Sequence, residues 1–311
     1  MIDLTVDETL AGERFDRALS RLLASSVRGA RQLIEAGHAT IDGKRAAPGA
    51  TLRVGQRLHS PGVPSSDAQA PVPEPDAPLA VVHATDALLV VDKPAGQPCH
   101  PLRPGERGTL ANALVARYPE LPPVGEFPRE AGLVNRIDND TSGLVLVARS
   151  RSAWQTWRET SRQAQLRKLY LAVVEGELAP TAEWQELDAP LDHRGQKMRV
   201  VEPGTGQPAL TRFRSLAAGR GASLLLVELR VGRRHQIRAH LAHLGHPLVG
   251  DALYGATTTG ARPGHVLHAW RIRGQELDVK TPPPEEFWAS AARFSIERRE
   301  PRLEDEVERP T

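Results

Sequence analysis

The run Asn135-Arg136-Ile137-Asp138-Asn139-Asp140-Thr141-Ser142-Gly143, set between Ala131-Gly132-Leu133-Val134 and Leu144-Val145-Leu146-Val147-Ala148, decides how the rest of the chain is read. Residues of strand character lead into it and apolar residues lead out, so it reads as a loop at the rim of a sheet. An Asp in a turn is ordinarily a turn former that bonds its own backbone two residues on. Here Arg136, Asp138 and Asp140 put three ionisable groups within five positions, ahead of a Thr-Ser-Gly turn. That is more charge than a turn needs.

Working outward, the next concentration of charge is Val231-Gly232-Arg233-Arg234-His235-Gln236-Ile237-Arg238-Ala239-His240-Leu241-Ala242-His243-Leu244-Gly245-His246-Pro247-Leu248-Val249-Gly250-Asp251. The spacing predicts a short helix over 234–244, with Ile237, Leu241 and Leu244 on its buried side and a stop at Gly245 ahead of Pro247. Arg234 and Arg238, at i and i+4, then share another face. His240, His243 and His246 recur at intervals of three and invite a metal reading. His246, however, falls beyond the helix end, no Cys is near, and no positioned carboxylates accompany the histidines, so no metal site is expected. The arginines are the stronger feature, because a forked, permanently charged guanidinium grips a carboxylate or phosphate through two bonds.

Around these two stretches, β-rich runs at 80–83, 88–92, 144–148, 169–174 and 223–231 alternate with helical patterns near 107–117, 150–165 and 234–244. Residues 79–290 therefore read as one mixed α and β domain. Gly204-Thr205-Gly206 precedes Pro208 instead of opening a helix, so it fails as a dinucleotide fingerprint. Six prolines between Pro61 and Pro78, with few apolar residues, mark 61–78 as an extended linker. Residues 291–311 read as a charged tail with too few apolar residues to fold.

Residues 1–60 are a separate piece. Phe15, Ala18, Leu19, Leu22 and Leu23 form the stripe of an amphipathic helix. A second helix follows, with Ser26 as its N-cap, Ala30, Leu33 and Ile34 on its apolar face and Gly37 at its left-handed end. Then 38–41, Asp42-Gly43 and Lys44-Arg45 read as strand, tight turn and strand. The polar sides carry Arg17, Arg21, Arg28, Arg31, Lys44 and Arg45, a pattern that equally describes a solvated helix face.

The bulk numbers set bounds. With 311 residues, 40% hydrophobic and 25% charged, two globular pieces with linkers are expected. No apolar run approaches the roughly 20 residues that cross a bilayer, and the N-terminus has neither a basic start nor an apolar signal core, so a cytoplasmic protein is expected. Cys99 is the only cysteine, which excludes an intrachain disulfide and a cysteine-built metal cage. A net charge of +2 is weak testimony for a nucleic-acid partner, and that reading depends on where the arginines sit.

Two resemblances give these features a meaning. Arg14-Phe15-Asp16-Arg17-Ala18-Leu19, Arg31 through Lys44, and Leu52-Arg53-Val54-Gly55-Gln56 resemble the small RNA-binding module named after ribosomal protein S-four, with Phe15 in place of the usual leucine. The resemblance implies that Arg17, Arg28, Arg31, Lys44 and Arg45 face RNA. Lys93-Pro94-Ala95-Gly96, Arg136-Ile137-Asp138 with Thr141-Ser142-Gly143, Lys168-Leu169-Tyr170 leading to Gly176, and Gly232 through Arg238 leading to His246 through Gly255 resemble, in family order, the RluA class of pseudouridine synthases. This second resemblance implies an α+β fold with a mixed, mainly antiparallel sheet, a catalytic cleft and no cofactor. It also implies Asp138 as the catalytic carboxylate, Arg238 as its ion-pair partner, Tyr170 as the ring against the target uracil, Leu267 as an apolar wall, and Arg136 as the residue that helps open the RNA. Asn135 stands where the family usually has His, and Arg234 where it usually has Thr.

The residue types suit the reaction. Pseudouridine formation breaks the bond from the ribose anomeric carbon to uracil nitrogen 1, turns the base and rejoins it through carbon 5. An ionised carboxylate serves either by attacking the anomeric carbon or by removing a ribose 2′ proton, and a guanidinium beside it holds its charge. A base turned out of its helix, at a cost of a few kcal/mol, needs a ring to stack on and phosphate contacts elsewhere to offset that cost. The expected function is RNA pseudouridine synthesis, with large-subunit ribosomal RNA as the favoured substrate, transfer RNA as another, and a monomer as the working state. Two rival readings are an inactive RNA-binding protein on the same fold, for which Asn135 speaks, and a hydrolase of nitrogen-linked glycosides using Asp138 and Asp140.

Overall fold

The computed structural model describes residues 2–23, 27–60, 70–103, 105–274, 277–299 and 301. Ser26, residues 61–69, the tail from 302 and the side chain of Arg28 lie outside the described residues. The chain divides into two compact units: Met1–Pro75 with His100–Arg107 and Ala111–Ala131, and Asp76–Cys99 with Gly108–Leu110 and Gly132–Thr311.

In the first unit, β1 (Ile2–Thr5), α1 (Phe15–Leu22), α2 (Val27–Glu35), β2 (Thr40–Ile41) and β3 (Arg57–Ser60) follow in order. The strands form an antiparallel sheet β1-β3-β2. The helical stripe does what its spacing demands, since Phe15, Ala18, Leu19, Ala30 and Ile34 close one core with Leu52 and Leu58. Gly37 has a positive φ of 76° and its N–H donates to the Ile34 carbonyl, which ends α2. Asp42 and Gly43 both take positive φ, as a two-residue hairpin turn requires, and Ile41 and Lys44 exchange hydrogen bonds of 3.0 and 2.9 Å across it. The second strand expected at Lys44-Arg45 does not continue. Ile41 pairs instead with Leu58 of β3, because Pro48-Gly49 turns the chain back toward α1, where the Asp16 N–H donates to the Pro48 carbonyl. The strand β1 was not anticipated, as four residues are too short a run to stand out. Residues 70–74 carry no regular structure and are pinned to α3 (Leu110–Arg117), with Asn112 Nδ2 donating to the Val72 carbonyl at 2.7 Å.

The second unit contains β4 (Ala80–Ala84), β5 (Leu88–Lys93), β6 (Ser142–Ala148), α4 (Arg151–Arg162), β7 (Arg167–Glu175), β8 (Gln185–Asp188), β9 (Leu191–Arg194), β10 (Lys197–Val200), β11 (Leu210–Gly219), β12 (Ala222–Leu229), α5 (Gln236–His243), β13 (Leu267–Gly274), β14 (Leu277–Lys280) and α6 (Glu285–Ala292). Among the described residues the main sheet has the order β4-β5-β6-β13-β7-β12-β11-β8, with β14 on β13. Its pairs are antiparallel except β6–β13. It is the mixed, mainly antiparallel sheet the resemblance implied. β6 and β12 are buried at every position, which explains why they read as unbroken apolar runs instead of alternating ones.

The two faces of this sheet divide the core. Leu169, Leu171, Leu224, Leu226 and Trp270 pack on one side against Phe287, Trp288 and Ala291 of α6. Tyr170, Ala172, Leu225, Val227, Leu267 and Ala269 point to the other, where Ile237 and Leu241 of α5 cover part of them. The core runs past the boundary expected at 290, since Ile296 is 2% exposed within the α6 cluster and the Arg220 N–H donates to the Phe294 carbonyl. No described helix is long and apolar enough to cross a membrane.

Candidate active site

The loop that carries Asp138 is shaped by its exits. Expected as a strand, 131–134 is reduced to a bridge, with Leu133 opposite Val147 and the Val134 N–H donating to the Leu146 carbonyl. Asn135 then ends the pairing: its side-chain oxygen accepts the Leu146 N–H at 2.8 Å, in place of a backbone partner. The backbone is freed to leave the sheet. It returns through a turn in which the Thr141 N–H donates to the Asp138 carbonyl at 3.1 Å. Gly143 rejoins the sheet at φ 108°, where any Cβ would collide with the Ala269 backbone on β13.

The partner of Asp138 comes from α5. The helix begins later than its periodicity suggested, at Gln236, because His235 adopts a left-handed φ of 51°. Arg234 therefore precedes the helix and shares no face with Arg238. Its guanidinium turns to His193 Nε2 (2.7 Å) on β9. Leu244, expected inside, is 40% exposed, since α5 ends at His243 and Gly245 turns the chain away. Arg238 itself is buried. Its Nη1 donates to Asp138 Oδ2 at 2.9 Å, while Nε and Nη2 donate to the two oxygens of Asp251 at 2.7 and 2.9 Å. The Tyr254 ring lies 5.0 Å from its guanidinium carbon. Burial works against the charge on Arg238, and the hydrogen bonds and charges of Asp251 and Asp138 outweigh it, so the pKa is raised. The result is a fixed cation with one N–H aimed at Asp138.

Asp138, Tyr170, Arg238, Leu267 and Arg136 line one cleft, with Arg233, His235 and Thr141. Tyr170 stands on β7 opposite Ala269 of β13 and Val227 of β12, and Leu267 emerges two residues before Ala269 on the same face. Burial and the negative charge of Asp138 push the Tyr170 phenol up, so the ring meets the cleft uncharged. Arg136 is exposed at the mouth. His235 Nε2 is 3.9 Å from Asp138 Oδ1, and burial lowers its pKa.

The remaining residues singled out in the sequence lie outside this cleft. Lys93 is fully buried, its ammonium donating to the carbonyls of Pro94, Gln97 and Asn139, and burial pulls its pKa down to about 8. It anchors turns. His240 bonds Thr211 and the Ala189 carbonyl, and His246 bonds the Glu175 carbonyl. Among the described residues no group of three metal-ligating side chains gathers. Arg17, Lys44 and Arg45 are exposed, and Arg31 is held with Arg14 by the buried Asp16 carboxylate.

Sequence reasoning missed Asp251, which sits thirteen residues from Arg238. Its one signal was an acid directly after the apolar Leu248-Val249-Gly250.

Comparisons with known proteins identify the family. A family model described as RNA pseudouridylate synthase matches residues 87–243, and one for the S4 domain matches 13–58. A protein of Xanthomonas campestris pv. campestris named ribosomal large subunit pseudouridine synthase D is 39% identical, over 89% of this chain and 82% of its own length. One of the same name from Nitrosomonas europaea is 34% identical over 93% and 86%. The solved structure of human RNA pseudouridylate synthase domain containing 1 superposes with a TM-score of 0.53 at 26% identity, covering 67% of this chain and 84% of that one. The model match takes in both the Asp138 loop and α5, the elements whose junction makes the cleft, and on those grounds the chain belongs to the RNA pseudouridylate synthase family.

Proposed function

We propose that this enzyme converts specific uridines of large-subunit ribosomal RNA to pseudouridine with Asp138 as its catalytic carboxylate. The observation that carries this assignment is the Asp138–Arg238–Asp251 chain in a cleft shared with Tyr170. A carboxylate 24% exposed reaches substrate, while the buried guanidinium beside it donates one N–H to its Oδ2 at 2.9 Å and fixes its direction. The C1′–N1 bond breaks with Asp138 acting on the ribose, the uracil turns, and C1′ joins C5. The C5 proton leaves and N1 gains one, so the reaction is an isomerisation. Tyr170 offers the turning base a flat face, worth roughly 1 to 3 kcal/mol by stacking, and Leu267 closes the apolar wall. Arg136 at the mouth serves the opening of the RNA.

Arg17, Arg28, Arg31, Lys44 and Arg45 add phosphate affinity that is independent of sequence. The preference for large-subunit RNA rests on the names of the relatives from Xanthomonas campestris and Nitrosomonas europaea. Asn135, the feature that spoke for an inactive protein, accepts the Leu146 N–H and lies outside the cleft lining, which supports the active reading.

The test uses total RNA from a strain lacking the gene, treated with wild-type protein or Asp138→Asn and mapped for pseudouridine by a chemical stop assay. Discrete large-subunit sites restored by the wild type alone are expected. Restoration by both proteins refutes the carboxylate assignment, and sites confined to transfer RNA refute the substrate.

A further inference from the structure

The segment 262–269 meets the Asp138 loop residue by residue. Arg262 Nη2 donates both to the Asp140 carbonyl and, at 3.0 Å, to the His265 carbonyl, tying the two stretches together. Gly264, at φ +84°, leaves the space that the Asp140 carboxyl group occupies, since a Cβ there would overlap it. His265 Nε2 is hydrogen-bonded to the Thr141 hydroxyl at 2.7 Å, and both residues are almost fully buried, at 2% and 1% exposure. Beyond this point β6 and β13 pair, Ser142 with His268 and Gly143 with Ala269.

His265 is absent from the cleft lining, yet one bond separates it from a residue that closes the Asp138 turn. The direction of the Asp138 carboxylate depends on that turn. Arg238 supplies it one N–H, and His235 stands off at 3.9 Å. We propose that His265 is a positioning residue for the reaction: by holding the Thr141 hydroxyl, with Arg262 holding the Asp140 carbonyl, it keeps the Asp138–Thr141 turn in the form that presents the Asp138 carboxylate to Arg238 and to the target ribose.

The physical argument is one of satisfaction and rigidity. A buried hydroxyl without a partner is costly, so once His265 is removed Thr141 rotates or shifts to find another, and the turn shifts with it. Displacement of a reacting group by about 1 Å costs on the order of a hundredfold in rate. Burial, and then the nearby Arg238 charge, push the His265 pKa down to about 4, so the imidazole is a neutral hydrogen-bonding group over the working range. Its role is geometric. The inference rests on Asp138 being the catalytic carboxylate.

The experiment compares wild type, His265→Ala, His265→Gln, Thr141→Val, the double variant His265→Ala with Thr141→Val, and Asp138→Asn. Each is assayed in single turnover at saturating enzyme on total RNA from the deletion strain, with filter binding of that RNA and thermal unfolding alongside. For His265→Ala the rate constant is expected to fall about 10- to 100-fold with RNA affinity within twofold of wild type. His265→Gln, whose amide still reaches a hydroxyl, recovers most of the rate. The double variant is no slower than the slower single one, because both remove the same bond. If His265→Ala fails to fold, Thr141→Val removes the partner atom with little change of shape, and its rate decides. A folded His265→Ala or Thr141→Val at full rate overturns the proposal, as does a loss confined to RNA affinity. If Asp138→Asn is dead while His265→Ala is fully active, only the positioning role falls. If Asp138→Asn is active, the carboxylate assignment falls and the positioning role with it.

Discussion

Replacing Asp251 by Asn alters one charge behind the cleft and none of the residues that line it. In the wild type Asp251 accepts two N–H groups of Arg238, at 2.7 and 2.9 Å, and is 2% exposed. The amide keeps one acceptor and turns an NH2 toward a guanidinium N–H, so one charge-assisted bond worth about 1.5–3 kcal/mol disappears. Breaking a buried ion pair outright costs about 3–5 kcal/mol, which is the upper bound here because Asp138 still touches Arg238. A loss of about 2–4 kcal/mol is expected, a fall in Tm of roughly 5–15 °C for a domain of this size. The effect is insensitive to salt, since the pair is shielded from solvent. Released on one side, Arg238 swings toward Asp138, and the single-turnover rate falls roughly tenfold or more while RNA affinity holds. Calorimetry at low and high salt and a single-turnover assay are the measurements. A variant with Tm within 2 °C and rate within about twofold of wild type would refute the view that Asp251 fixes the Arg238 guanidinium in the cleft.

Other residues lead to three further outcomes. Asp16 is held by Arg14, then by Arg31, at a pKa of about 2, below the ordinary 3.8. A depressed carboxylate stabilises the folded state above 3.8 and loses that stability as pH falls toward 2, so the N-terminal unit destabilises over that window by about 1–2 kcal/mol, given half-exposed arginine partners, and Asp16→Asn removes the dependence in a pH series of denaturant unfolding. Lys93 and Lys168 are both pulled down to about 8 by burial, so the unfolded chain binds more protons than the folded one above pH 8. Stability therefore rises between pH 8 and 10, and Lys168→Met flattens the rise in unfolding midpoints, whereas an unchanged slope counts against a buried ammonium there. Arg31→Gln with Arg45→Gln weakens RNA binding and lowers its salt slope by about 2 without slowing single turnover at saturating enzyme, whereas a steep fall in that rate would count against a purely binding role.

Much of the site was legible because the family's motifs are local. Asp138, Arg238, Tyr170 and Leu267 each sit in a short recognisable run, and the comparisons with known proteins bear out the family and the fold that those runs implied. Periodicity also located α1, α2 and α5, since burial of one face imposes a spacing on the chain. It failed at ends. His235 takes a left-handed conformation that no propensity announces, and that single residue separates Arg234 from Arg238. β1, β8, β9 and β10 are four residues each, too short for an alternation to rise above chance.

What the sequence by itself determined was the family and its mainly antiparallel sheet, and it offered a carboxylate, a ring and an arginine as candidates for one cleft. What only the tertiary structure decided was who holds whom. Asp138 and Arg238 are a hundred residues apart, Thr141 and His265 one hundred and twenty-four, and Asp251 reaches Arg238 only after the chain has turned through Gly245 and Gly250. Such bonds depend on strand order and register, which arise from the burial of whole faces and leave no mark in the spacing along the chain.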